Sequence, residues 1–272
     1  MKYLVSVLVL CLSLQAQEYI NWQSPTVKAK KSVTGGHNGH AGRKAKKFQL
    51  NNLDSDAKLE IFYIMPTLEK KEIKLEDGLV SLPRTGMENY HALVVNQTKK
   101  KNVSSSIRYI YSRGRPSKVS PTKITQFQKS ELEIAPAPLP REHDRYHGSK
   151  SYNFKLLFKG KSLPNQTITF STSNGSQNAF QGNEDGEFSI TMPNDFKSVK
   201  VGKRKNKAAE FTLKAFYMYE GITYTTTLAM PYHVNPTNYW QSVNAGALVL
   251  ILGLIIGLYL FRNINKKKKR KA

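Results

Sequence analysis

The stretch AEFTLKAFYMYEGITYTTTLAM, residues 209–230, decides the fold. Phe211, Leu213, Ala215, Tyr217 and Tyr219 fall on every second position. Gly221 turns the chain, and Ile222, Tyr224, Thr226, Leu228 and Met230 alternate again. A period of two lines each set along one face of a strand, so two strands meet at the glycine. Outward from here the pattern repeats. Tyr152, Phe154, Leu156 and Phe158 alternate with polar residues, as do Ile168 with Phe170, and Phe188 with Ile190 and Met192. Gly160, Asn174-Gly175 and Asp185-Gly186 supply the turns. Five or more short strands with turns between them predict an Ig-like β-sandwich over residues 149–235.

Upstream, Ala135-Pro136-Ala137-Pro138-Leu139-Pro140 puts three prolines within five residues. Proline has no amide donor and cannot serve a central strand, so residues 135–148 are expected to join two domains. Residues 48–134 read as a first β domain. Lys58 to Met65 is a strong strand, Tyr90 to Val95 and Ile107 to Tyr111 are others, and Glu76-Asp77-Gly78 is a turn. Arg113-Gly114-Arg115-Pro116-Ser117 reads as a loop. Residues 17–47 combine clustered lysines with a glycine-rich run and no apolar period. They are expected to form a flexible arm. The fold class is therefore all-β, with two β-sandwich (Ig-like) domains.

The two ends carry a different message. Lys2 precedes an apolar run from Tyr3 to Leu14, followed by Gln15-Ala16-Gln17. That is the layout of a secretory signal, residues 1–16, cleaved after Ala16; a retained N-terminal anchor is the competing reading. The run is shorter than the roughly 20 residues a bilayer requires. Ala245 to Phe261 is an uncharged apolar run, flanked by Tyr239, Trp240 and Tyr259. A transmembrane helix is expected over residues 244–261. The tail, residues 262–272, carries Arg262 and then Lys266 to Lys271 as unbroken cations. No Lys or Arg lies between Lys214 and Arg262. The positive-inside rule sends that tail to the cytoplasm and the body outside it, which in a bacterial envelope is the periplasm, with the helix in the inner membrane. Gly253 and Gly257 form a GxxxG pair through which two helices can approach as a homodimer.

The chain holds 42 basic and 19 acidic residues and one cysteine, Cys11, inside the signal segment. Thiol catalysis and cysteine–metal clusters are thereby excluded for the processed chain. Without Lys2 and the seven tail cations, 34 basic residues face 19 acidic ones, a charge suited to anionic neighbours. Nucleic acid is not expected as a partner of an external domain.

The stretch from Lys58 to His233 resembles a family of bacterial periplasmic proteins with an uncharacterised domain, associated with cobalt and nickel uptake. The matching residues are Pro66-Thr67-Leu68-Glu69, TGMENYHALV at 85–94, RYIY at 108–111, LEIAP at 132–136 and LPREH at 139–143. FKGKSL at 158–163, DGEF at 185–188 and YHVNP at 232–236 complete the set. The resemblance implies two β domains, a secretory signal, often a C-terminal anchor, and a role with nickel or cobalt ions. The family's histidines near the mature N-terminus correspond here to the loop with His37 and His40.

Candidate ligands follow from residue chemistry, since neutral imidazole suits nickel, cobalt, copper and zinc. His37 and His40 lie at i, i+3 in the glycine-rich run. His143 and His147 flank Asp144, with Glu142 beside them, directly after the proline-rich segment. His91 and His233 belong to the resemblance and would converge on the same seam. Enzymatic signatures are missing: there is no GxSxG elbow and no HExxH, so no enzyme is expected. Gly160-Lys161-Ser162 lies between strands, with Lys155 where a phosphate loop begins with glycine. Two functions remain. One is an anchored accessory that hands a transition metal to an inner-membrane permease. The other is a structural module of an envelope protein complex.

Overall fold

The computed structural model describes residues 19–269, apart from 25–45, 54–56, 66, 77–78, 83–86, 113, 117, 141–144 and 241–242. The expected signal segment, His37, His40, Glu142, His143 and Asp144 lie outside the described residues.

The protein is all-β with one C-terminal helix, Val243–Lys269. The hairpin read from residues 209–230 forms as strands Ala209–Tyr219 and Ile222–His233, in register from Ala209↔Tyr232 to Tyr219↔Ile222. It sits in the middle of a ten-stranded sheet. On one side lie Thr167–Thr172 and Gln177–Gln181. On the other come Asn102–Ser112, Met87–Lys99, Lys58–Met65 and Thr67–Glu72. Two short strands join at the ends of neighbours: Tyr146–His147 beside Ile222–His233, and Arg115–Pro116 beside Met87–Lys99.

Two smaller sheets cover the two faces of this one. Leu132–Pro136, Ser151–Phe158, Lys161–Ser162 and Glu187–Thr191 form the first. Asn21–Gln23, Lys47–Asn51, Leu79–Ser81 and Leu75–Glu76 form the second. Two hydrophobic cores result, and the shared strands divide their side chains between them. Ala92 and Val94 enter the first core, and Leu93 and Val95 enter the second. Phe62 points to the first core, and Leu59, Ile61 and Tyr63 to the second. Burial on both faces explains why these strands read as unbroken apolar runs rather than as clean alternation.

Two expectations are corrected. The boundary at 135–148 does not separate the β segments, because Ile222–His233 pairs in parallel with Asn102–Ser112 (Thr223↔Asn102 to Leu228↔Ile107). Within that segment, Pro136 ends a strand paired with Ser151–Phe158, and Ala137 N–H donates to Asn153 O at 2.9 Å. Leu132–Pro136 ends its sheet, so the amide that Pro136 lacks leaves no ladder bond unmade. The arm, too, is structured at both ends. Ile20 and Trp22 are buried in the second core, and the Trp22 indole donates to Ser106 O at 3.0 Å. Only three residues form this strand, too few for a period to register in the sequence.

Gly186 shows why the sequence turns where it does. Its φ is +70°, and a Cβ there would stand 2.8 Å from Leu163 O. Only glycine accepts both the left-handed backbone and that approach.

Candidate functional site

The strand Ile222–His233 ends where the chain leaves the body toward the helix, and two of the three described candidate histidines, His147 and His233, lie near that end. Parallel pairing sets Tyr146 opposite Tyr232 and His147 opposite His233. The two imidazole rings lie 6.0 Å apart between centroids, tilted by 47°. His147 is buried, and its Nδ1 donates to Val234 O at 3.0 Å. Its backbone N–H donates to the Tyr152 hydroxyl, which in turn donates to Arg145 O, both at 2.9 Å. Arg145 Nη1 approaches His233 Nε2 at 3.5 Å.

Among the described residues this corner is electropositive. Burial holds the His233 imidazole at about 4, and the charges of Arg145, His147 and Lys203 push the same way. Neutral imidazole is the form that ligates a metal, but the neighbouring guanidinium and ammonium oppose a cation.

His91 lies elsewhere, wholly buried in the strand Met87–Lys99, its ring edge-on to Tyr63 at 5.9 Å. Burial lowers it to about 4; a backbone bond at Tyr90 opposes the shift and Lys46 adds to it. Among the described residues, no group of three or more His, Asp or Glu side chains is placed to hold a metal ion. The structure thus brings His147 and His233 together and leaves His91 apart from them. His37, His40, Glu142, His143 and Asp144 have no described placement.

Three polar clusters escaped the sequence reading. In the first core, Lys129 Nζ meets Glu133 Oε1 at 2.5 Å and donates to Ile124 O at 3.0 Å, and Tyr109 OH reaches the same carboxylate oxygen at 3.4 Å. Burial raises Glu133 and lowers Lys129 from their ordinary values, each shift opposed by the partner's charge. Asp195 accepts from Tyr232, Asn174, Thr172 and Ser176. Its burial favours the neutral acid, but these four bonds outweigh burial and hold the carboxyl below its usual range. Arg108 reaches across the large sheet to Glu210 at 2.6 Å. The i, i+4 spacing of Lys129 and Glu133 was the one signal of the three present in the sequence. Lys and Glu at that spacing ordinarily mark an exposed helix face.

No family model matches the chain, and no curated protein matches it. Among solved structures, one match is described as a Ca2+-stabilized adhesin that helps an Antarctic bacterium reach out and bind ice. It is 9% identical, the alignment covers 82% of this chain and 49% of that one, and the TM-score is 0.26. The chain spans about half the length of that structure, and a likeness at this TM-score carries no argument.

Proposed function

We propose that the chain is a membrane-anchored, non-catalytic interaction module. Its β body stands on the periplasmic side of an inner membrane, held by the C-terminal helix, and docks an acidic partner of an envelope complex. The observation that carries this reading is the helix itself. Gly246–Asn263 is apolar, long enough to cross a membrane, and covered by none of the other described residues. A helix apolar on all sides and uncovered by protein calls for lipid. The cations after Phe261, against none between Lys214 and Arg262, support a cytoplasmic tail. The positive balance of the body supports an acidic partner.

The test is mild extraction of the full chain from native membranes. One defined partner is expected to co-purify at low salt and to dissociate near ~1 M salt, where screening shortens to about 3 Å. Recovery of the chain alone at low salt would overturn the reading.

A second reading, in which the module hands nickel or cobalt to a permease, draws on the closeness of the His147 and His233 rings, 6.0 Å apart, against the opposing charge of Arg145 and Lys203. Calorimetric titration with nickel, cobalt, copper and zinc tests it. Binding lost in His147→Ala and in His233→Ala supports it, and binding unchanged by either rejects it.

A further inference from the structure

The body carries a cationic loop beside the start of the helix. Residues 197–207 hold Lys197, Lys200, Lys203, Arg204, Lys205 and Lys207, all exposed, with no acidic residue among them. Val201 stands between these cations with 54% of its surface exposed.

The loop has a built shape. Asn206 Oδ1 accepts from Lys200 N–H at 2.8 Å, and Asn206 Nδ2 donates to Lys200 O at 2.6 Å and to Gly202 O at 3.1 Å. Gly202, at φ +100°, donates its N–H to Tyr239 O at 3.2 Å. Asn238 Nδ2 donates to Asn194 Oδ1 at 3.1 Å just ahead of the loop. Phe196 packs on Tyr232 with 5.0 Å between ring centroids. The loop is therefore fastened to the residues that lead into the helix. Trp240, 63% exposed, follows Tyr239 directly, and the apolar span begins at Gly246.

We propose that residues 197–207 form a contact with the anionic bilayer surface, in which Lys200, Lys203, Arg204 and Lys205 meet lipid phosphates and Val201 enters the interface. This rests on the membrane-spanning reading of Val243–Lys269. Tyr239 precedes Gly246 by seven residues, which keeps it within about 25 Å of the hydrocarbon, and the Gly202–Tyr239 bond brings the cations within the same reach. A cluster of Lys and Arg attracts an anionic surface, and exposed Trp prefers the bilayer interface. The contact would orient the body on the membrane rather than leave it to swing on its tether.

The full chain in lipid nanodiscs provides the test. In a Cys11→Ser background, an environment-sensitive fluorophore is placed at Val201→Cys or, in a separate variant, at Leu254→Cys. Quenching is read from lipids that carry a nitroxide at the headgroup or deep in the acyl chain. The Leu254 probe is expected to be quenched by the deep label, which reports the span. The Val201 probe is expected to be quenched by the headgroup label several-fold more in phosphatidylglycerol-rich discs than in phosphatidylcholine discs. Joint replacement of Lys200, Lys203, Arg204 and Lys205 by Gln is expected to abolish that difference. A quenched Leu254 probe with a Val201 probe left unquenched by both lipids overturns the loop contact and leaves the span standing. Equal quenching of Val201 in both lipids overturns its electrostatic basis. An unquenched Leu254 probe overturns the spanning reading, and the loop proposal falls with it.

Discussion

The Lys129–Glu133 pair shows what a single residue contributes. Both side chains are sealed in the first core, 0% and 2% exposed, so each charge depends on the other. Removing one partner strands a buried charge, which costs roughly 3–5 kcal/mol, whereas replacing both with apolar residues can be neutral. Lys129→Met is therefore expected to lower unfolding stability by about that amount, and Lys129→Met with Glu133→Leu to recover most of it, as read by urea denaturation. The histidines set the pH response. His91 stays neutral in the folded protein to about pH 4, because burial opposes its charge, while the unfolded chain protonates it below about 6.5. The unfolded state binds more protons in that window, so stability falls as pH drops from 6.5 toward 4, by roughly 3 kcal/mol for His91. His233 and Asp195 act in the same direction. Urea midpoints across this range should decline, and His91→Phe should flatten the decline. Little at this scale was legible beforehand. His147 and His233 were named as candidates, but their pairing depends on a parallel register that no local pattern encodes.

At the scale of elements, most strands could be read because one face of each is wet. Ala209–Tyr219 and Glu187–Thr191 alternate for that reason. The segments that misled are those whose partners are distant. Trp22 belongs to a strand of three residues, held by the Ser106 carbonyl 84 positions away. Arg108 reinforces that attachment. Its Nη2 contacts Glu210 Oε1 at 2.6 Å and Ser24 Oγ at 3.3 Å, its guanidinium lies 5.2 Å from the Phe48 ring, and Ser24 Oγ donates to Glu210 at 2.6 Å. Arg108→Met is expected to raise amide exchange of residues 20–24 and 48–51 by about tenfold or more, while Ile222–His233 stays protected. Arg108→Lys should fall between, because an ammonium lacks the second nitrogen that approaches Trp22 O at 3.5 Å and the planar face that lies over Phe48. Equal exchange in the two strand sets would show that Arg108 does not fasten the N-terminal strand.

At the scale of the molecule, one large sheet unites both halves of the chain, and a single helix leaves it. Composition alone announced that helix, since a run without charge between aromatics and a block of lysines needs no tertiary context to interpret. Composition did not announce that the two expected sandwiches share a sheet. That depends on the parallel pairing of Asn102–Ser112 with Ile222–His233, about 120 residues apart in sequence. Under the proposed function this sheet stands outside a membrane that the helix crosses. Protease added to spheroplasts that express the full chain, with an epitope after Ala272, tests it directly. The body should be digested, while a membrane-bound fragment carrying Val243–Lys269 and the epitope survives. A body left intact in spheroplasts whose other external proteins are cut, or an epitope lost while the membrane stays sealed, would contradict the account.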